Sequence, residues 1–270
     1  MAEGVAVGLR SDMTSRLHRF DKLDNFRDYG DYATAAAGRV RPGRLFRSAH
    51  HADVTDADLD RIAALGIGAV VDLRRPDERR RQPSRRHSAF DGTVVENDVD
   101  GGEAPHMTFL KTADLTPDSG RRFMMDTYRG LPFEPAHVDL FSRYFALLAE
   151  GDRPVLIHCA AGKDRTGTLA ALTHHLLGVG RDDMLEDYLL TNTAVDLAGR
   201  APHIAAFLKK ATGREPSHDA VVAFLGVEEA YLVAAFEAIE TRSGSIDAYM
   251  DQVLGVDAVR RDRIRERLSA

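Results

Sequence analysis

The chain has 270 residues, 44% of them apolar and 29% charged, with a formal net charge of -6, which suits an ordinary globular protein large enough for a full core. No run reaches the eighteen or so apolar residues of a membrane span, which excludes an integral membrane protein, and the acidic balance argues against a nucleic-acid binder built on phosphate contacts. A single cysteine excludes an internal disulfide and any zinc or redox site of the CxxC kind, and without a basic-then-apolar leader the expected location is cytoplasmic, a non-standard export route staying open.

The first twenty residues have weak periodicity and are expected to form a loose arm, with one domain spanning residues 21–270. Gly38 to Ser48 predicts two strands around a Pro42-Gly43 turn, because Pro and Gly there punctuate two short strand-like runs. Thr55 with Asp58 three residues on makes a capping-box start for a helix, acidic in its first turn. Leu59, Ile62 and Leu65 share one face of that helix, and Gly66 stops it. Ile67 to Val71 is apolar and β-branched, a buried strand ending at Asp72, so the pair reads as one α/β unit. Thr93–Val95 and Pro154–His158 are further strands. Between them, Asp100 to Gly130 is broken by Gly101-Gly102 and Pro117–Gly120 and is expected to form a mobile or partly helical cover. Val138, Phe141, Phe145 and Leu148 make a helical face up to Gly151. Leu169, Leu172 and Leu176 make another up to Gly178, and Met184, Leu185, Tyr188 and Leu189 make the next. The sheet core is therefore expected within the first 180 residues, with a helical remainder packed on it.

The informative segment runs from Val155 to Gly167 and holds the only cysteine between a buried strand and a helix start. Cys159 with Arg165 six residues on is a weak signal alone. With His158 before it, Gly162 three after it and Thr166 after the arginine, a chance match falls to roughly one in tens of thousands. Five residues between Cys and Arg close a loop whose N–H groups, those of Ala160, Ala161, Gly162 and Lys163 among them, can converge on a tetrahedral anion. Gly162 removes a side chain where that loop turns tightly. The helix starting near Arg165 adds free N–H groups and a positive dipole end, and such surroundings favour the thiolate, the nucleophilic form of cysteine. Arg165 offers a planar fork to two phosphoryl oxygens. Thr166 can donate its hydroxyl to the leaving thiolate, and His158 is expected to hold the loop from behind.

Other readings fit less well. A Walker loop fails because Asp164 follows Gly162-Lys163 and Ile157 stands where its first glycine is required. A structural core cysteine leaves the rest of the pattern unexplained. Rhodanese loops do not require this His-Cys and Arg-Thr pattern, and arsenate reductases usually need more than one thiol. The non-enzyme alternative is a phosphate-binding module without turnover. The His50-His51 and His174-His175 pairs lack a carboxylate at ligand spacing, so no metal site is expected.

His158-Cys159-x5-Arg165-Thr166 resembles the signature loop of the cysteine-dependent protein-tyrosine phosphatase superfamily. Asn25–Asp28, Arg44–Ser48 and Val70–Arg74 resemble ordered blocks of its atypical bacterial members. The resemblance implies an α/β fold with a four- or five-stranded, mostly parallel sheet flanked by helices, and no metal or organic cofactor. It also implies a phosphomonoester hydrolase that acts on phosphotyrosine, and on phosphoserine, phosphothreonine or phosphoinositides, through a phosphocysteine. An alkyl phosphate leaving group needs a proton from a carboxylic acid. Asp164 inside the loop ranks ahead of Asp72 at the end of its strand, whose alternative role is to pair with an arginine; Asp98, Asp100 and Asp114 follow. Lys163 adds positive charge suited to a multiply phosphorylated headgroup. The seven arginines from Arg74 to Arg86 read first as a solvated loop and second as an attractor of anionic peptide or lipid.

Overall fold

The computed structural model describes residues 16–99, 116–195 and 226–270, with scattered positions between 199 and 225. Strands β1 (Arg27–Asp28), β2 (Leu45–Ser48), β3 (Ala69–Asp72), β4 (Thr93–Val95) and β5 (Val155–His158) form one sheet in the order β1-β2-β5-β3-β4. Only β1 is antiparallel to its neighbour. The expected mostly parallel α/β sheet is therefore present. In the three central strands every residue is buried, as a parallel sheet covered on both faces requires. Side chains alternate across it. Leu45, Val71, Val155 and Ile157 enter one core, and Phe46, Val70 and Leu156 enter the other.

Helix α1 (Asp56–Ala63) covers the second of these faces with Leu59 and the partly buried Ile62. Thr55 and Asp58 close the expected capping box through two 3.1 Å bonds, and Gly66 follows the helix at φ +66. After α1 and β3 come α2 (Pro76–Arg81), α3 (Pro117–Gly130), a 3-10 turn (Leu131–Phe133) and α4 (Pro135–Glu150). Beyond β5 the chain continues through α5 (Asp164–Leu177), α6 (Arg181–Leu189), α7 (Thr191–Ala194), α8 (Glu229–Ser243), α9 (Ile246–Gln252) and α10 (Ala258–Leu268). Tyr249, Ile264 and Leu268 from the last helices share a core with Val71 and Ile157 of the sheet. Among the described residues no helix is long and apolar enough to cross a membrane.

One expectation changes. The hairpin around Pro42-Gly43 does not form: only Leu45–Ser48 is a strand, and its antiparallel neighbour is β1. The arm before the turn goes to the C-terminus instead, with Arg41 N donating to Leu268 O at 2.7 Å and Arg39 and Ala270 exchanging bonds of 3.1 and 2.8 Å. A turn signal is local, and a partner more than two hundred residues away outweighs it. Of the expected loose arm, residues 1–15 lie outside the described residues. Arg16 is buried, its guanidinium 3.8 Å from the centre of the Tyr32 ring.

One buried ion triad ties the sheet edge to α6. Asp187 takes Arg27 Nε of β1 at 2.8 Å on one carboxylate oxygen and Arg47 Nη1 of β2 at 2.6 Å on the other. Burial alone would raise the Asp187 carboxyl, but the two guanidinium groups hold it well below the usual carboxylate range. Removing one partner of such a group leaves the others charged and without compensation. Asp187→Ala is therefore expected to lose about 3–5 kcal/mol in urea unfolding, and a loss under about 1 kcal/mol would show that the triad does not hold the fold.

Candidate active site

The carboxyl ends of β2, β5 and β3 stand side by side, with His158 in register with Ser48 and Asp72. Ligand crevices of open α/β sheets form at that edge. The chain leaves β5 at buried Cys159, runs through Ala160, Ala161, Gly162 and Lys163, and enters α5 at Asp164. Gly162 has φ +65, and a Cβ there would sit 2.3 Å from Ser48 O, so both backbone shape and space require glycine.

What shapes the loop is where its carbonyls go. Ala160 O accepts from His50 N at 3.1 Å. Asn25 Nδ2 donates to Ala161 O at 3.0 Å and to Gly162 O at 2.8 Å, and Arg47 Nη2 donates to Gly162 O at 2.9 Å. In a trans peptide the N–H points opposite the C=O. Fixing these three carbonyls outward therefore turns the N–H groups of Ala161, Gly162 and Lys163 toward the loop's interior, where the first turn of α5 also opens. Asn25 has φ +59, a conformation asparagine tolerates better than most residues, and Arg27 Nη1 donates to its Oδ1. Asp187 thus reaches the loop twice, through Arg47 directly and through Arg27 and Asn25.

Arg165 is held by a carboxylate and a carbonyl. Its Nη1 and Nη2 donate to Glu78 Oε2 and Oε1 at 2.6 and 2.9 Å, and Nη1 also donates to Leu73 O at 3.1 Å. Burial opposes ionisation of Glu78, yet Arg165 brings its carboxyl down to about 2, so the pair is ionised, and among the described residues Nε and the second Nη2 proton are the donors left over. Lys163 is buried with Nζ 3.6 Å from Asp164 Oδ1. Asp164 is partly exposed and accepts from the Tyr128 hydroxyl at 2.9 Å. Thr166 Oγ1 is buried with no hydrogen-bond partner among the described residues. His158 stacks on His51 with ring centres 5.0 Å apart, and its Nδ1 lies 3.3 Å from Cys159 O. Burial keeps both rings below the ordinary histidine range.

Asp72 does not face the crevice as an open acid. It is buried and pairs with Arg74, Oδ2 to Nη2 at 2.7 Å and Oδ1 to Nε at 2.9 Å, while the Arg74 N–H donates to Oδ1 at 3.1 Å. Arg74 goes on to Gln82 O and Ser84 Oγ, so the pair braces the segment beyond α2. Asp98 is exposed and pairs with Arg79 at 2.8 Å; Asp100 and Asp114 lie outside the described residues. Much of the arginine run is neutralised locally: Arg79 also meets Glu96, Arg81 meets Asp77 and Arg85 meets Asp56. His174 and His175 go separately to Tyr29 O and Asp247.

Asn25, Arg47, Glu78, Tyr128 and Asp187 are the residues sequence reasoning missed as parts of the site. Two left a trace. Glu78 stands three residues after Arg75 with Pro76 between, a capping signature, and Asp187 lies one helical step from Met184 on an otherwise apolar face.

For Asp72, burial opposes ionisation, but His158 and Arg74 bring the carboxyl down to about 2. A depressed carboxylate contributes stability above its unfolded value, near pH 4, which is lost as pH falls through the folded value. That contribution is about 2 kcal/mol. Urea unfolding across acid pH should show a shallower decline for Asp72→Asn than for wild type between about pH 4 and pH 2. Parallel declines would contradict the pairing.

The sequence profile of the tyrosine phosphatase family matches residues 18–270. A tyrosine-protein phosphatase candidate of Cupriavidus necator is 34% identical over 238 residues, 88% of this chain and 84% of that protein. The triple specificity protein phosphatase PtpB of Mycobacterium tuberculosis is 35% identical over 261 residues, 84% of this chain and 90% of that protein. A tyrosine-protein phosphatase of Nostoc commune is 34% identical over 148 residues, covering 54% of this chain and 47% of its own. With a match over nearly its whole length, the chain belongs to the tyrosine phosphatase family and is a phosphatase.

Proposed function

We propose that the protein hydrolyses phosphomonoesters in two steps through a phosphocysteine, with Cys159 as nucleophile and Asp164 as general acid and base. In the first step the Cys159 thiolate attacks phosphorus. An S–P bond forms, the P–O ester bond breaks, and Asp164 gives its proton to the leaving oxygen. In the second step water attacks the same phosphorus, Asp164 takes a proton from it, and the S–P bond breaks to release phosphate and the thiolate. The loop amides and the Arg165 fork hold the oxygens of the transferring group in both steps. Thr166 Oγ1, buried without a partner among the described residues, is suited to donate to the departing thiolate.

What supports this reading is the pinning of the Ala160, Ala161 and Gly162 carbonyls, from which the following amides are argued to turn toward Cys159. Asp164 is favoured over Asp72 as acid because it is partly exposed at the loop's end, whereas Asp72 is buried and fully engaged with Arg74. The substrates supported are phosphotyrosine esters first, with phosphoserine, phosphothreonine and phosphoinositides also within reach. The breadth named in the mycobacterial relative and the Lys163 ammonium beside Asp164 both favour that range.

Cys159→Ser should lower p-nitrophenyl phosphate hydrolysis by on the order of 10⁴-fold or more while phosphate binding and the unfolding midpoint stay close to wild type. Activity that survives in this variant, or that EDTA removes from wild type, would overturn the thiolate mechanism. A wild type that binds vanadate and turns over no phosphate ester would instead be the phosphate-binding module.

A further inference from the structure

Helix α6 presents two neighbouring residues to opposite ends of the catalytic loop. Asp187 supports the loop's carbonyls through Arg47. Tyr188 supports the other end. Its hydroxyl donates to the Tyr128 hydroxyl at 2.6 Å, and Tyr128 donates to Asp164 Oδ1 at 2.9 Å. Both rings are buried. The Tyr188 ring also lies on the first turn of α5, where a Cβ at Gly167 would come within 2.9 Å of Tyr188 Cδ2. The Tyr128–Tyr188 pair sits in a packed cluster with Met124, Ala171, Met184 and Tyr231, so Tyr128 has little freedom to turn away.

A phenol has one proton to give and lone pairs to receive one. Because Tyr188 donates to Tyr128, the Tyr128 proton is directed to Asp164, and the order Tyr188 to Tyr128 to Asp164 is fixed. Burial raises both phenols well above their ordinary range, the Asp164 charge adding to it, so the two remain donors wherever the enzyme works. Oδ1 of Asp164 is also the oxygen that Lys163 Nζ approaches at 3.6 Å. Both neighbours therefore occupy one oxygen of the carboxyl and leave Oδ2 to exchange a proton.

We propose that Tyr128, backed by Tyr188, is a positioning residue that pins Asp164 Oδ1, so that Oδ2 delivers the proton to the leaving oxygen and takes it from water. This rests on the reading of Asp164 as the general acid. A group acting through the acid matters where the leaving group needs protonation, and matters little where it does not.

The test compares Tyr128→Phe, Tyr188→Phe, Asp164→Asn and the Tyr128→Phe/Asp164→Asn double variant on phosphoserine and on p-nitrophenyl phosphate. Asp164→Asn is expected to lower kcat for phosphoserine by about 10²–10⁴-fold. Tyr128→Phe should lower it about tenfold with KM nearly unchanged, and its loss on the nitrophenyl ester should be several-fold smaller. In the Asp164→Asn background the Tyr128 substitution should cost nothing further. Tyr188→Phe should give a smaller loss with the same ester dependence, and it carries the test if Tyr128→Phe does not fold. Equal losses on both esters, or a full additional loss in the double variant, would reduce Tyr128 to a packing residue and overturn the proposal. Leaving-group dependence at Asp164 with none at Tyr128 or Tyr188 overturns this inference alone, whereas none at Asp164 removes the acid reading and this inference with it.

Discussion

Backbone N–H groups that converge on one point repel each other, so a loop that holds them there needs its carbonyls fixed by rigid donors. In this phosphatase the donors are the His50 N–H, Asn25 and Arg47, and the last two lead back to the Asp187 carboxylate. A carboxylate shared by two fully buried guanidinium groups is a poor way to gain stability, since desolvation offsets most of the attraction. It is a good way to fix geometry. The same ion triad joins β1, β2 and α6, so the shape of the Ala160–Lys163 loop is set by how the sheet edge meets the helical half of the chain.

Arginines do different work according to what pairs with them. Arg165 is held in place by Glu78, and under the proposed mechanism it would meet phosphoryl oxygens without first being ordered. Arg74 is spent on Asp72 and on the chain beyond α2. Arg79, Arg81 and Arg85 lie in ion pairs with nearby carboxylates, those of Arg81 and Arg85 at the surface, so much of the run's charge is neutralised where it stands. Asp72 follows the same logic: a saturated, ionised carboxylate is a strut, and a proton donor must have an oxygen left over.

The parts legible in the sequence are those that depend on neighbours in the chain. The capping box at Thr55, the β-branched strand before Asp72 and the cysteine loop between strand and helix all follow from local chemistry, and each lies where it is expected. The parts that were not legible depend on pairs remote in sequence. Arg39 and Arg41 bond to the C-terminal residues rather than across the Pro42-Gly43 turn, and no turn signal reports that. Asp187 meets β1 and β2 across about half the chain, and Glu78 meets Arg165 after β4, α3 and α4 have intervened. Charge and spacing show that such residues are unusual; only the fold shows which partner each one finds.

The most direct test of the account is to stop the reaction during turnover of a phosphotyrosine peptide and map the phosphate by mass spectrometry of the digested protein. A phosphocysteine intermediate predicts one phosphoryl group on the peptide containing Cys159, absent from the Cys159→Ser protein. Phosphate on any other residue, or turnover with no covalent phosphoenzyme at any time, would contradict it.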